Sequence, residues 1–360
     1  MPLRYKPDFE AAKVAWGHYW AKEAWRRPLV VCNVPKAGKP LPPAGPEGLH
    51  YRRPVGRRWD EHVAAVEAVM DSREYLAEAV PFISPDFGPD QFGAFISGGT
   101  LKFSEGSGGT NWIEPVVTSW EGFEAGLAKD GPVWKGVLDY AKFLAQAARG
   151  KFLVGVCDLH SNLDALSALR GPENLCLDIL DCPELLDRAM TGVRRLYAPV
   201  YEAIREASGI TGETGSVGWI PFWCAGRYAV IQCDFMCMVG PEAFKRFVRP
   251  ALEEEAAYLD HCILHLDGPG ALRHLDGILS INDIDAIQWV PGDGQRPMHE
   301  WLDVLKRIQA AGKGLQIYGV SPAQVKVLHR ELSPAGVVYC VEAADRNEAE
   351  GLLKWLEKNM

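Results

Sequence analysis

The sequence predicts an α/β protein, a (β/α)₈ TIM barrel with an N-terminal helical extension and an inserted hairpin. Short, nearly continuous apolar runs, typical of buried parallel strands, alternate with longer segments in which apolar residues recur at helical spacing. In the last third of the chain such runs begin near residues 261, 286, 315 and 337, and the spacings of 25, 29 and 22 residues fit β-α units with short connections.

The elements follow in chain order. An aromatic-rich helix over 9–26 belongs to the predicted extension of residues 1–28, and 97–120, with its glycine pairs, is predicted to be the inserted hairpin. Eight strands are predicted, near residues 29, 80, 152, 217, 261, 286, 315 and 337. Further helices are predicted over 58–78, 132–149, 162–170, 173–181, 183–208, 240–260, 270–278, 298–311, 321–331 and 345–358, and a loop over 225–237. Eight strands favour a closed barrel over an open sheet. No shift in composition marks a boundary, so residues 1–360 are expected to form one domain.

Composition limits the function. The 360 residues are 48% hydrophobic and 24% charged with a net charge of −9, and no run of Lys or Arg forms a basic stripe. This disfavours nucleic acid or an anionic membrane as a partner. No apolar run approaches the roughly 18 residues of a membrane span. The nine cysteines are scattered without a Cys-x-x-Cys pair, which indicates reduced thiols. We expect a cytoplasmic protein with a small-molecule substrate.

Polar residues two positions apart follow several of the apolar strands. The strand near 261 ends in His265-x-Asp267, and the strand near 152 ends in Asp158-x-His160. Side chains two apart on a strand share a face, and the carboxyl ends of parallel strands are where active sites lie. The remaining polar or aromatic strand tips are Trp223, Gln288, Trp289, Gln316, Tyr318, Cys340 and Glu342.

Each candidate has a functional and a structural interpretation. Asp158 and His160 are a proton-transfer pair or a helix cap. Asp234 binds substrate or stabilises the helix that follows it. Arg227 clamps a substrate carboxylate or, the favoured alternative, forms a surface ion pair. The aromatic and amide candidates for lining a substrate pocket, with core packing as the alternative for the aromatics, are Trp223, Gln288, Trp289 and Tyr318.

The region Val217 to Tyr318 resembles the uroporphyrinogen decarboxylase superfamily. The similarity lies in Ile231-Gln232-Cys233-Asp234-Phe235, Val239-Gly240-Pro241-Glu242-Ala243-Phe244 and Ile263-Leu264-His265-Leu266-Asp267-Gly268. That superfamily includes zinc-dependent methyltransferases, which move methyl groups between a corrinoid protein and a thiol. The resemblance implies a (β/α)₈ barrel, a small-molecule substrate, a corrinoid protein as a partner and a monomer or homodimer.

The resemblance also implies a zinc site. The methyltransferase branch holds zinc with His-x-Cys at the fifth strand and a Cys near the eighth, where this chain has His265-x-Asp267 and Cys340. Zinc accepts this set of three ligands, and Glu342 is a rival to Cys340. The Arg-Gln-Ala-Gly-Arg-Tyr and Phe-Ser-Asp motifs of authentic uroporphyrinogen decarboxylases are not matched, and Asp86, in the region of the second, inherits no role.

Three functions follow from these observations. The leading hypothesis is metal-assisted methyl transfer involving a thiol or corrinoid partner. The alternative is a cofactor-free decarboxylase acting on a small or tetrapyrrole-like carboxylic acid, with Asp158, His160 and Asp234 as its acid and base groups. The third is a non-catalytic barrel that binds a small molecule.

Overall fold

The computed structural model describes residues 2–23, 25–43, 51–104 and 109–360. The strands within these residues are β1 (Leu29–Pro35), β2 (Arg73–Ala77), β3 (Phe82–Ile83), β4 (Leu153–Val154), β5 (Ser216–Val217), β6 (Trp223–Cys224), β7 (Tyr228–Gln232), β8 (His261–Asp267), β9 (Ala286–Val290), β10 (Gly314–Val320) and β11 (Val337–Val341). The α-helices are α1 (Phe9–Trp20), α2 (Arg52–Val55), α3 (Trp59–Asp71), α4 (Gln91–Ser97), α5 (Pro132–Ala147), α6 (Asn162–Arg170), α7 (Pro172–Asp181), α8 (Pro183–Ala207), α9 (Pro241–Ala243), α10 (Arg249–Tyr258), α11 (Leu275–Leu279), α12 (Leu302–Ala310), α13 (Pro322–Glu331) and α14 (Arg346–Lys358). A π-helical turn, Phe244–Val248, joins α9 to α10, and short 3-10 helices span Asp234–Met238, Pro269–His274 and Met298–Glu300.

A mostly parallel sheet forms the centre of the molecule. Its seven strands run in the order β2-β1-β11-β10-β9-β8-β7, and β2 is antiparallel to β1. The α/β class is therefore confirmed. Strands β3 and β4 form a separate parallel pair, and β5 and β6 an antiparallel one. In the part of the chain described, these ladders do not close into a barrel. A backbone hydrogen bond from Val156 N to Val217 O (2.7 Å) spans the gap between the β3-β4 pair and the β5-β6 pair.

The predicted fourth strand is wrong. Residues 217–224 fold back on themselves, so that Val217 pairs with Trp223 in the antiparallel β5-β6 hairpin. Gly218 and Pro221 lie within the predicted run, and proline lacks the N–H that a central strand donates. The strand that pairs with β8 is β7, within the segment predicted to be a loop. Its sequence, Tyr228-Ala-Val-Ile-Gln, is apolar and buried throughout.

Two other predictions are corrected at their boundaries. The predicted helix over 58–78 ends at Asp71, and the chain then turns into β2. The first helix ends at Trp20 rather than residue 26. In the predicted hairpin, Lys102 and Trp112 form an antiparallel bridge, while residues 105–108 lie outside the described residues. No helix of the described chain is both long and apolar enough to cross a bilayer.

Glu78 connects the first helix to the first strand of the sheet. Its carboxylate pairs with both terminal nitrogens of Arg27, at 2.8 and 3.0 Å, and accepts a hydrogen bond from Val30 N at 2.8 Å. Its carbonyl accepts a hydrogen bond from the buried indole of Trp16. The Arg27 and Glu78 side chains are only 11% and 7% exposed, so the ion pair is shielded from water.

We predict that Glu78→Ala destabilises the protein by ~3–5 kcal/mol, because it leaves the buried Arg27 guanidinium without its partner. Equilibrium unfolding in urea measures the change. The matched control is Glu74→Ala, which removes a pair with the largely exposed Arg346. That loss should cost under ~1 kcal/mol. Equal effects of the two variants would contradict the role assigned to Glu78.

Candidate functional site

A row of polar side chains crosses four neighbouring strands near their carboxyl ends. Gln232 on β7 is the register partner of His265 on β8, which pairs with Gln288 on β9, which in turn pairs with Gln316 on β10. The three glutamines are 1%, 5% and 2% exposed. Parallel strands buried on both faces normally carry apolar side chains at such positions. A buried polar layer therefore indicates a site.

Each member of this polar row gives one polar atom to a neighbour. Gln232 Nε2 donates to Asp158 Oδ1 at 2.8 Å, and Gln316 Nε2 donates to Cys340 Sγ at 3.0 Å. His265 Nδ1 donates to Gln288 Oε1, which fixes the tautomer of the ring and leaves His265 Nε2 as an acceptor. One hydrogen bond within the row and two to Asp158 and Cys340 therefore hold it in place.

A cavity of about 730 Å³ lies over the row, and we call it the amide lobe. It brings together most of the predicted metal and substrate residues of the second half of the chain: His265, Gln288, Tyr318, Cys340 and Glu342. Asn33, Arg73 and Trp219 also line it. Burial raises the pKa of the Cys340 thiol to about 12, although the hydrogen bond from Gln316 works in the other direction. Cys340 is therefore a neutral thiol at physiological pH.

A second cavity of about 470 Å³ adjoins the first and contains the predicted catalytic residues Asp158, His160 and Asp234. We call it the acid lobe. Trp219 and His265 line both lobes, and their rings meet edge to face with centroids 5.0 Å apart. The two residues thus form the boundary between the lobes.

His160 is surrounded by carboxylates in the acid lobe. Its Nε2 donates to Asp158 Oδ2 at 3.1 Å, and its Nδ1 lies 3.9 Å from Asp164 Oδ2. Burial opposes protonation of the ring, but Asp158, Asp164 and Asp234 outweigh it and raise the pKa of His160 to about 10. The ring is an imidazolium at neutral pH and can donate a proton.

Two of the neighbouring carboxyl groups hold protons more tightly than usual. Burial, reinforced by Asp158, raises the pKa of Asp86 to about 6. Burial, reinforced by Asp234, raises the pKa of Asp164 to about 6 as well. Asp164 also accepts hydrogen bonds from the backbone of Asp234 (2.9 Å) and Phe235 (2.8 Å), which places Asp234 at the cavity. Asp86 in the acid lobe and Asp164 beside it are therefore two carboxyl groups whose pKa lies closer to neutral pH than usual.

The structure does not fit the implied zinc site. In the described part of the chain, no group of three or more His, Cys, Asp or Glu side chains is placed to hold a metal ion. The Cys340 thiol has a raised pKa and receives a hydrogen bond from Gln316. Burial raises the pKa of Asp267 as well, partly offset by His265. Metal ligation would have to displace the hydrogen bond from Gln316 and deprotonate both groups.

Three predicted substrate residues lie away from both lobes. Trp223 and Arg227 precede β7, at the amino-terminal side of the sheet. The Trp223 ring packs against Phe9, and Arg227 pairs with Asp260 at 3.1 Å, the surface ion pair that the sequence favoured. Trp289 is fully buried on the opposite face of β9 from the polar row, with its ring 5.0 Å from that of Trp301. Trp289 directly follows Gln288, and successive side chains on a strand point to opposite faces.

Three lining residues, and Asp164 beside His160, did not emerge as candidates from the sequence. Gln232 ends an apolar run, as strand tips do, but the prediction places the fourth strand at residues 217–224 and a loop at 225–237. Asp164 lies four residues after His160, a spacing that places two side chains near each other on a helix. Asp86 comes close through long-range packing, since its Oδ1 accepts a hydrogen bond from Asp158 N at 2.6 Å. Trp219 has no signal in the sequence.

Comparisons with known proteins bear on the fold. No family model matches the chain, and no curated protein matches it. Among solved structures, it is similar to a methyltransferase from Methanosarcina mazei, with a TM-score of 0.58 and 13% sequence identity over 97% of this chain and 98% of that one. The two chains share a fold. At this identity the likeness concerns the fold alone, so the reaction must be argued from the site.

The first prediction for the site concerns metal. Because the three implied ligands are not grouped, we expect purified protein to retain well below one zinc per chain, with no difference between wild type and His265→Ala. Mass spectrometry of metal content, after equilibration with zinc and removal of the excess, measures this. One zinc per chain that is lost in His265→Ala would contradict the prediction and restore the zinc centre.

A buried carboxylic acid lies behind the acid lobe. Glu255 on α10 is 3% exposed and accepts a hydrogen bond from Ser161, which precedes α6. Burial raises the pKa of Glu255 to about 8. The group is therefore mostly protonated at neutral pH. Through Ser161, it supports the turn at Asn162 (φ 65°) that follows His160.

We predict that Glu255→Gln becomes more stabilising relative to wild type as pH rises from 5 to 8.5. Because the folded-state pKa lies above the unfolded value of about 4.5, the stability contributed by protonated Glu255 is full below that value. It is lost as pH rises through about 8, by several kcal/mol at most. Glutamine stays neutral and avoids this loss.

Thermal unfolding across this pH range measures the effect. Glu254→Gln is the matched control, since the Glu254 side chain is 57% exposed. The control should show no pH-dependent gain. A constant difference between Glu255→Gln and wild type would show that Glu255 is ionised throughout.

Proposed function

We propose that this protein is an enzyme with a (β/α)₈-type barrel that transfers a methyl group from a small methylated substrate. The acceptor is a thiol or the corrinoid of a partner protein. The observation that carries the proposal is the imidazolium of His160, held among carboxylates in a cavity at the carboxyl ends of parallel strands. The fold shared with a methyltransferase supports it.

Methyl transfer from oxygen or nitrogen needs a proton donor. The acceptor, a thiolate or a reduced corrinoid, supplies the electron pair of the new bond to carbon, and the bond between the methyl group and its heteroatom breaks with its electrons on the heteroatom. That atom leaves readily only if it is protonated at the same time. His160 Nε2–H, already hydrogen-bonded to Asp158, supplies this proton, and Asp158 stabilises the ring orientation before transfer. The raised pKa makes His160 an acid, not a base.

Two adjoining lobes give the two reactants separate places. A substrate in the amide lobe, which measures about 730 Å³, reaches the acid lobe past Trp219 and His265. The acceptor approaches from the open side of the strand ends, where loops line both cavities. No step in this scheme passes through a metal, because the described residues do not form a metal site.

Decarboxylation is a second candidate, favoured by the same proton donors. Loss of carbon dioxide leaves a carbanion that takes up a proton, and His160 or Asp86 would supply it. However, the described residues that line the acid lobe include Asp86, Asp158 and Asp234 but no Lys or Arg. Such a lining repels substrates with several carboxylates, which leaves small monocarboxylic acids.

We predict that His160→Gln lowers kcat for methyl transfer by about 10²–10⁴-fold, the usual contribution of a general acid. The assay follows transfer from a panel of small O-methyl and N-methyl compounds to a thiol or to reduced cobalamin, with mass spectrometry of the methylated product. His18→Gln is the control, since His18 lies on α1, outside both lobes.

The outcomes separate the three functions. Methyl transfer that is lost in His160→Gln and kept in His18→Gln supports the proposal. Carbon dioxide release from a small acid, without methyl transfer, would replace it with the second candidate. Tight binding of compounds from the panel without any turnover would show a binding protein, and equal activity of both variants would remove the acid role of His160.

A further inference from the structure

Gln316 carries a buried polar atom without a partner. Its side chain lines the amide lobe and is 2% exposed, and no described residue donates a hydrogen bond to its Oε1. Its Nε2 donates only to the Cys340 thiol, which is a weak acceptor. A buried acceptor left unpaired lowers stability, and methionine or leucine would fill the same volume without that cost. The placement of an amide here therefore indicates a ligand.

The neighbouring glutamine offers the complementary group. Gln288 is the register partner of Gln316, so the two side chains start from adjacent strands about 4.8 Å apart. Gln288 Oε1 accepts the hydrogen bond from His265, and no described residue accepts one from Gln288 Nε2. The pair thus presents one acceptor and one donor side by side. The terminal torsion of a glutamine is soft, so a small rotation of Gln316 brings Oε1 toward the lobe.

We propose that Gln288 and Gln316 bind an uncharged amide or lactam edge, an N–H beside a C=O, in the substrate of this site. The ligand N–H donates to Gln316 Oε1, and the ligand carbonyl accepts from Gln288 Nε2. Trp219 and Tyr318 line the same lobe and provide flat surfaces for a planar ring. The inference rests on the proposed function in one respect: it takes this ligand to be the methylated substrate, whose methyl group extends past His265 toward His160.

The side chains around the amide lobe favour an uncharged ligand. The row consists of uncharged amides and one imidazole that is already hydrogen-bonded to Gln288. A carboxylate or phosphate in the amide lobe would lie beside Glu342 and next to the aspartates of the acid lobe, with Arg73 as the one Lys or Arg among the described lining residues. A neutral edge with one donor and one acceptor matches Gln316 Oε1 and Gln288 Nε2 without leaving any charge unpaired.

The test uses three six-membered rings of equal size. Only 2-piperidone has an N–H beside its carbonyl; δ-valerolactone and cyclohexanone keep the carbonyl and lack the N–H. Their dissociation constants are measured by NMR titration of the wild-type protein. We expect 2-piperidone to bind about tenfold more tightly than the other two, because they leave Gln316 Oε1 without a partner.

Two glutamine variants separate recognition from folding. Gln316→Met should abolish the preference for 2-piperidone while the Tm stays equal or rises, since an unpaired buried acceptor is removed. Gln309→Met is the matched control, because Gln309 on α12 makes two hydrogen bonds to the Ser333 backbone. It should lower the Tm and leave the preference intact. A purely structural Gln316 would behave as Gln309 does.

Equal binding of the three rings, no binding of any, or a preference that survives Gln316→Met would overturn the inference. The methyl-transfer assay measures turnover of methylated compounds and the ring titrations measure binding alone, so the two proposals fail separately. Methyl transfer without lactam preference removes only the ligand assignment. Lactam preference lost in Gln316→Met, without any methyl transfer, removes the proposed function and leaves the amide site in place.

Discussion

The register of four parallel strands determines the site. Because Gln232, His265, Gln288 and Gln316 are partners across β7 to β10, their side chains leave the sheet in one layer. His265 and Gln288 hydrogen-bond to each other within this layer. A shift of one residue in any of these strands would turn its polar side chain to the helix-covered face. On that face the polar side chain would lose its hydrogen-bond partner, and an apolar side chain would take its place in the row. The apolar residues on either side of each glutamine or histidine pack into the core, and by fixing the strand register they also fix the site.

The acid lobe depends on a balance between burial and charge. Burial favours neutral carboxyl groups at Asp86 and Asp164, and the imidazolium of His160 partly reverses that effect at Asp164. The backbone contributes as well, through the hydrogen bonds that Asp164 accepts from residues 234 and 235. Each group sets the proton affinity of the next, so replacing one member is expected to change the titration of the others.

The sequence predicted the class of the fold and about half of the site. Alternation of apolar strands and helices placed Asp158, His160, His265 and Cys340 at strand ends, and the structure brings them to two adjoining cavities. The position of Trp223 could not be predicted, since it depends on a hairpin at residues 217–224. The position of Asp86 in the acid lobe and the raised pKa of His160 depend on packing between segments more than 70 residues apart. A local sequence pattern cannot predict such packing.

The packing of the first helix has a consequence for how the chain folds. Near the end of α1, Trp20 donates a hydrogen bond to the carbonyl of Trp223, and Lys22 donates one to the carbonyl of Gly312. These contacts join residues 203 and 290 positions apart. Closing such long loops is slow, because the entropy of the intervening chain is lost before the contacts form. During synthesis, α1 is thus made before these partners and completes its native contacts only after they have left the ribosome. Until then, Trp20 lacks its native hydrogen-bond partner, and the part of the aromatic face that packs on Phe222 stays uncovered.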